Sequence, residues 1–593
     1  MPSILGKALI DQTDSHHNQS LGITLAFRPF DIAAGERHWH LYKKPVKLRP
    51  MLNLDAPELY YLANFRKALA WLDAHHRDLM DDAEQAFVAD FPQLPLPTQA
   101  LLVRLVMRKG VHFRVSKLRY AEIGEIPSAA APLLELGWLI DCAELSFDEL
   151  GGLLLRDELA VHFASDLPGG NLKKSELLDY LRELHVEPRS LADWCPQLDE
   201  HLLSLAIGPL CDRLRLMFFG NLAQDWSEFV LADLGIFRYE QVPITPGSRG
   251  FRHRQDVDDY LHLRVCREAF DAGESVPEVL LQLGEFSTDN PHIGNRHQRL
   301  LLQLAQHLER AGELDSALML YRDTHAPGSR QRQIRVLERL GRDAEALVLV
   351  DQVLKAPLNG EEVQLAERAR TRLSRRLGLP PAAKAAKLNE DRLDLRLPRA
   401  ASVELAVAMH LAEPDAPVHY VENTLICGLF GLLCWEAIFA PLPGAFFHPF
   451  HTGPVDLHRA DFHDRRSELF AACLARLQDG TYRDAMRRTH AEKFGIQSPF
   501  VFWDLLDAER LEQALACLPP QHMAAWFRRL LADIRENRAG MPDLIQFWPA
   551  EGRYRMIEVK GPGDRLQDNQ KRWLTFCAEH GMPVSVCYVE WSD

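Results

Sequence analysis

Apolar residues recur every three or four positions from Met51 onward, starting with "MLNLDAPELYYLANFRKALAWLDAHHRDLM". That spacing predicts helix from about residue 55 to about 140. Residues 1–50 are His-rich and polar with no sustained period, so they are expected to be a poorly ordered extension, or to precede a true start at Met51. "LSFDELGGLLLRDELAVHFASDLPGGNLKKSELLDYLREL" then places two short amphipathic helices around a Pro-Gly-Gly turn. Further on, "LERAGELDSALMLY" (308–321) returns as "LERLGRDAEALVLV" (337–350), an internal repeat of two-helix units. "LGLPPAAKAAKLNEDRLDLRLP" breaks the helical period with Pro-Pro and mixed charge, and reads as a linker. Near the C-terminus the period falls to two: "DLIQFW" (543–548), "RYRMIEVK" (553–560) and "VSVCYVEW" (584–591) predict strands. These shifts divide the chain into 1–50, 51–145, 146–190, 191–396 and 397–593. The expected fold is multidomain and mostly α, with a C-terminal α/β domain.

The repeat resembles a degenerate tetratricopeptide stack, shorter in period than usual, and with so few units it is expected to be an internal scaffold. The segment before it resembles a SAP module, a small helix-loop-helix DNA-binding unit. Leu153, Leu159, Leu177 and Leu178 suit its core, and Lys173 and Lys174 its DNA-facing start. The continuous apolar run "LICGLFGLLCWEAIFAPLPGAFF" is interrupted by Glu436 and closed by Pro441 and Pro443, so it predicts a buried core helix rather than a membrane span.

Charge narrows the function. The 593 residues carry a formal net charge of −15, so nucleic acid would be met through local basic patches only. One candidate is "LLVRLVMRKGVHFRVSKLRY", where Arg104, Arg108, Lys109, Arg114, Lys117 and Arg119 occur without an acidic residue among them and with Phe113 and Tyr120 interleaved. A solvated helix face is the bland alternative. Arg252 and Arg254 in "GSRGFRHRQD" are further candidates. Ten scattered cysteines without a CxxC pair suggest neither disulfides nor a zinc finger. No basic region followed by an apolar stretch opens the chain, so no secretory signal is expected. No GxxxxGK[ST] motif occurs, so no ATP site is expected.

The sharpest chemistry lies in "GMPDLIQFWPAEGRYRMIEVKGPGDRL" (540–566). Closing a hairpin about "PAEG" (549–552) pairs Trp548 with Arg553, Gln546 with Arg555, and Asp543 with Glu558. Paired residues share a face about 5 Å apart, and Lys560, two beyond Glu558, joins that face while Val559 turns to the other. Two carboxylates and a carbonyl are hard oxygen ligands suited to Mg²⁺ or Mn²⁺, and the lysine suits a phosphodiester in hydrolysis. "GDRLQDNQKRWLTFCAEHG" follows as an amphipathic helix with Leu566, Trp573 and Cys577 on its packing face and Gln570 facing the site. The bland reading is an ordinary cross-strand Glu–Lys cluster.

"GMPDLIQFW…MIEVKGPGDRLQDNQKRWL" resembles the virus-type replication-repair nuclease domain (VRR-Nuc) of the PD-(D/E)xK superfamily. "VENTLICGLFGLLCWEAIF", "FHTGPVDL", "RLVMRKGVHFRVSKLRYAEIGEI" and "QDWSEFVLADLGIFRYE" are similar to regions of the Fanconi-anaemia-associated nuclease family, in order along the chain. The resemblance implies that Asp543, Glu558 and Lys560 are the catalytic trio and that Gln570 is the superfamily's helical glutamine. It also implies that the Val559 carbonyl and Glu422, on the helix leading the domain, ligate metal. It further implies branched DNA with a 5′ flap as substrate, cut endonucleolytically and by 5′-to-3′ exonuclease action in interstrand crosslink repair. The ubiquitin-binding zinc finger of eukaryotic members has no counterpart in Cys/His spacing here. A compact bacterial-type member is therefore expected, cytoplasmic and nucleoid-associated during repair, with no membrane partner. A four-way junction resolvase and a non-catalytic DNA-binding scaffold remain alternatives.

Overall fold

The computed structural model describes residues 59–167, 172–226, 237–380 and 390–592. The 1–50 extension, the Pro-Gly-Gly turn and part of "QDWSEFVLADLGIFRYE" lie outside these residues.

The N-terminal region is helical as its period requires: Tyr60–His76, Asp82–Asp90, Leu96–Val106 and Ile126–Glu135. The second of these starts at a capping box, in which Asp81 accepts the Glu84 N–H at 2.8 Å and Glu84 accepts the Asp81 N–H at 3.0 Å. A small antiparallel sheet closes the region: β1 (His112–Arg114) and β2 (Leu139–Ile140) flank the later β5 (Leu202–Leu205). Between them lies a separate module with its own core. Its hairpin pairs β3 (Glu144–Leu145) with β4 (Arg189–Ser190). Its helices Phe147–Leu153, Arg156–His162 and Lys174–Leu184 bury Leu150, Leu159 and Leu181 around Trp194. Leu177 is buried, and Leu153 and Leu178 cover that core from its edge.

The repeat forms a stack of antiparallel helices, Pro291–Ala311, Leu314–Asp323, Ser329–Arg339, Asp343–Lys355 and Gly360–Arg376. Equivalent glutamates of the two repeated stretches hold the layers together. Glu309, buried, accepts from Tyr321 Oη at 2.7 Å and from Arg332 at 3.2 Å. Glu338 accepts from Arg372 at 3.0 Å.

The C-terminal half carries a five-stranded mixed sheet. Its strands are β6 (Arg392–Pro398), β7 (Val418–Tyr420), β8 (Leu544–Trp548), β9 (Arg553–Lys560) and β10 (Val584–Ser592), in the spatial order β6-β10-β9-β8-β7. β10 runs parallel to both neighbours, while β8 is antiparallel to β7 and β9. The linker reading of "LDLRLP" is corrected here. These residues pair with β10 from Arg392 to Pro398, so the sheet begins before the expected boundary at 397. Charged side chains at alternate positions on an edge strand hid its period of two. The apolar run forms the helices Leu425–Leu433 and Trp435–Ile438, buried as expected. Among the described residues, no helix is long and apolar enough to cross a membrane.

Ion pairs such as Arg368–Asp568 and Lys493–Glu240 join the halves, and so does one aromatic ring. Phe447 belongs to the C-terminal half in sequence but is buried in the core of the N-terminal helices. Its ring lies so close to Gly250 that a Cβ there would stand 2.0 Å from it. Gly250→Val is therefore expected to expel the ring and loosen the seam. Limited proteolysis should cut between the halves faster than in the wild type, and Tm should fall by about 4 °C or more; an unchanged digestion pattern would show the contact to be dispensable.

Candidate active site

Alternation along two strands builds the site. Ile545 and Phe547 on β8, and Met556 and Tyr554 on β9, point into one core beneath the sheet. Each apolar row ends in a carboxylate two residues further on, Asp543 in one and Glu558 in the other. The register pairs Leu544 with Ile557 and Gln546 with Arg555, which sets Asp543 across from Glu558 as expected. Lys560 extends the same row, with Nζ 2.7 Å from Glu558 Oε1. Val559 turns to the other face and packs with Leu544, Ile557, Val407 and Cys587. Its N–H donates to Asp543 Oδ2 at 2.8 Å, so its contact with Asp543 is made by the amide.

The helix Asp568–Glu579 covers the site from the same face, through Trp573 and Cys577. Leu566 precedes this helix and is only half-buried, so the packing face begins later than the sequence period suggests. Gln570 Nε2 donates to Glu558 Oε1 at 2.6 Å, while its own oxygen accepts the Gln567 N–H at 2.9 Å. One side chain thus closes the helix start and orients a carboxylate. Gly540 makes the approach feasible: its φ is +88°, and a Cβ there would lie 2.7 Å from the Asn569 side chain.

Glu422 lies in the turn between β7 and the helix Leu425–Leu433, not on the helix as expected. The next residue, Asn423, has φ +57°, which delays the helix to Leu425. Tyr420 Oη donates to the Glu422 carboxylate, and Asn423 Nδ2 donates to it at 3.1 Å. Asn423 Oδ1 also accepts the Met541 N–H at 3.1 Å, tying Glu422 to the segment that enters β8. Sequence reasoning missed both Tyr420 and Asn423; an asparagine directly after the glutamate, a residue tolerant of left-handed backbone, was the available signal.

The electrostatics are those of charge held out of water. Asp543 and Glu558 are 8% and 1% exposed. Burial raises the Asp543 carboxyl well above the usual range, and the neighbouring Glu558 and Glu422 add to the shift. Glu558 is raised by burial and by Glu422, against the opposing pull of Lys560. Glu558 Oε2 is buried without a hydrogen-bond partner. An orphaned carboxylate oxygen beside like charge fits a divalent cation. The acidic groups do not form a ready three-ligand cage among the described residues, because Glu422 is held aside by Tyr420 and Asn423.

The basic candidates divide by their partners. Arg114 is buried and paired with Glu158 at 2.7 Å and Glu200 at 2.9 Å. Arg254 bonds Glu84 at 2.6 Å, and Arg252 donates to the Asp289 carbonyl at 3.0 Å. Arg104 lies over the Tyr61 ring at 3.9 Å and is paired with Glu122. The stretch from Arg104 to Arg119 is thus no uniform free stripe, because tertiary carboxylates absent from its local sequence consume part of its charge. Arg108 donates to Tyr120 Oη at 3.0 Å; it, Lys109, Lys117 and Arg119 face solvent. Lys173 is exposed and Lys174 half-buried at the start of the Lys174–Leu184 helix.

Comparison with known proteins extends these observations. The VRR-NUC domain family matches residues 477–591, the FAN1 HTH domain residues 59–140, and the Fanconi anemia-associated nuclease SAP domain residues 144–194. The Fanconi-associated nuclease 1 homolog of Pseudomonas aeruginosa is 56% identical over 554 residues, covering 93% of this chain and 99% of the relative. The chain belongs to the Fanconi-associated nuclease family. It is a DNA nuclease, a hydrolase, and its VRR-NUC domain implies dependence on a divalent metal. The rice homolog is 25% identical and covers 89% of this chain and 62% of its own length. The structure of paFAN1 bound to 2nt 5′-flap DNA with a gap superposes with a TM-score of 0.85 at 56% identity, covering 91% of this chain and 100% of that one. A second paFAN1 structure, with 1nt 5′-flap DNA, gives 0.84 over the same 91% of this chain and 100% of its own.

The buried carboxylates predict a measurable pH dependence. A carboxyl raised in the folded state binds its proton more tightly there than in the unfolded chain. Stability therefore falls as pH rises from the usual carboxylate value of about 4 through the raised folded values. In EDTA, Tm should decline across that window, and Asp543→Asn should flatten the decline and raise Tm at pH 8 by about 2–4 °C. Parallel melting curves for the two proteins would contradict the assignment of buried charge.

Proposed function

We propose that the protein cuts branched DNA bearing a 5′ flap, endonucleolytically near the junction and by 5′-to-3′ exonuclease action, in interstrand crosslink repair. The observation that carries this reading is the convergence of Asp543, Glu558 and Lys560 on one buried face, with Gln570 bonded to Glu558. The substrate is supported by the two similar paFAN1 chains, each bound to 5′-flap DNA. The bacterial cytoplasm, at the nucleoid during repair, is the proposed place of action.

Asp543, Glu558, Glu422 and the Val559 carbonyl would hold Mg²⁺ or Mn²⁺. The ion supplies charge neutralisation at the scissile phosphate and a more acidic water. Lys560, held beside Glu558, orients the attacking water and offsets the negative charge that builds on the phosphoryl oxygens. The water oxygen bonds to phosphorus, the P–O bond to the departing strand breaks, and that strand's oxygen takes up a proton. Gln570 keeps the Glu558 carboxylate facing the reaction, a role that supports the ligand without touching DNA. DNA contacts would fall to Arg108, Lys109, Lys117, Arg119, Lys173 and Lys174.

With Mn²⁺, the protein should cleave 5′-flap DNA in preference to a four-way junction, and Asp543→Ala should lower kcat by at least about 10³-fold. Equal cleavage of both substrates would favour the resolvase reading, and full activity of Asp543→Ala would refute the site. Gln570→Ala should weaken Mn²⁺ binding, measured by calorimetry, by about 10- to 100-fold while leaving DNA affinity unchanged.

A further inference from the structure

Two helices from opposite halves of the chain meet in matched register. The last repeat helix, Gly360–Arg376, lies against the helix Asp568–Glu579, which carries Gln570. Gln364 and Arg368 share one face of the first helix, and Asp568 and Arg572 share one face of the second, each pair being one turn apart. They bond crosswise. Arg368 donates to both oxygens of Asp568, at 2.6 and 2.7 Å, and Arg572 donates to Gln364 Oε1 at 2.7 Å. Gly360, one turn before Gln364, sits against the Arg572 stem: a Cβ there would stand 3.6 Å from Arg572 Cδ. Asn359, just ahead of the repeat helix, donates to Asp533 at 2.9 Å, and Arg572 is 3.6 Å from Glu536. The contact therefore runs from the end of the repeat stack into the segment that leads to β8.

This contact lies behind the active site. A helix turns by about 100° per residue, so Gln570 points about 200° away from both Asp568 and Arg572. The front of the helix is fixed to the core by Trp573 and Cys577, and Gln570 reaches Glu558 Oε1 from that side at 2.6 Å. The first residue of the helix, Asp568, is instead gripped from behind by Arg368. A fork-to-fork pair of this kind restricts direction as well as distance. The hydrogen bonds from Arg368 hold the Asp568 carboxyl below its usual range. Both partners are about half exposed, and an ion pair so placed adds little to stability. Its effect should therefore be read in position rather than in Tm.

We propose that Arg368 and Gln364 are positioning residues of the nuclease centre: the repeat stack sets where the helix Asp568–Glu579 begins and, through Gln570, the aim of the Glu558 carboxylate. The inference rests on the metal-dependent reading of the site and gives the repeat stack a part in it beyond that of a scaffold.

Calorimetry with Mn²⁺ on the full chain, without DNA, tests the proposal. Arg368→Asp should weaken Mn²⁺ binding about three- to tenfold, a fraction of the loss expected for Gln570→Ala, while Tm stays close to the wild type. Arg368→Asp combined with Asp568→Arg should recover part of the loss. In a Gln570→Ala background Arg368→Asp should have no further effect, because the link it breaks is already gone. Arg368→Gln, which removes the pair without adding like charge, should give a smaller loss in the same direction even if the reversal folds poorly. An equal loss in the Gln570→Ala background, or unchanged Mn²⁺ affinity in both Arg368 variants, would overturn the proposal. A fall in DNA affinity in EDTA with Mn²⁺ affinity unchanged would make Arg368 a DNA contact and overturn it as well. Failure of the wild type to bind Mn²⁺ would sink the metal reading and this proposal with it, a result distinct from the others.

Discussion

Two carboxylates held out of water are the constraint on which the rest of the C-terminal half depends. Asp543 and Glu558 continue the apolar rows of β8 and β9, so the strands that build the core also deliver charge into it. Such a pair is tolerable only when its oxygens are occupied. Here the Val559 amide serves Asp543 Oδ2, the Lys560 ammonium and the Gln570 amide both serve Glu558 Oε1, and Glu558 Oε2 is orphaned. The helix Asp568–Glu579, the glycine at 540 and the turn at Asn423 follow from that need, since each brings a donor or a carboxylate within reach. The site is less stable without its cation than an apolar replacement would be, a familiar cost of placing function on a core strand.

Much of this was legible in the sequence because it is local. The hairpin from Asp543 to Lys560 closes over a short turn, so its register follows from counting, and the alternation of faces follows from the register. The resemblance of the chain from about residue 55 onward to one nuclease family supplied Glu422, which no spacing argument reaches. What escaped was non-local. β6 is an edge strand whose partner lies almost two hundred residues later, and its alternate charges resemble those of a linker. The basic stretch around Arg114 looked free because Glu158 and Glu200, which neutralise it, belong to other segments. Arg254 was consumed in the same way by Glu84, itself the end of a capping box. Sequence shows where positive charge is placed; only the tertiary structure shows how much of it remains available.

The two halves differ in chemistry without being independent bodies. The sheet carries the paired carboxylates, while basic side chains face solvent in both halves, Lys109 and Arg119 in one and Arg483 and Arg488 in the other. Phe447 crosses between them into a core that is not its own, and a cavity walled by Arg296, Arg299 and Arg459 lies on the same seam. Geometry at this junction therefore sets how the helical half and the sheet are placed relative to one another.

The order of strands has a consequence for when activity can arise. β10 lies between β6 and β9, although it follows both in the chain. Until residues 584–592 have left the ribosome, β9 and its Glu558 form one rim of an open sheet, and β6 has nothing to pair with. A nascent chain can thus complete its N-terminal helices while the cutting centre is still unassembled. The nuclease therefore gains its cutting centre only after the helices that precede it in the chain have been made.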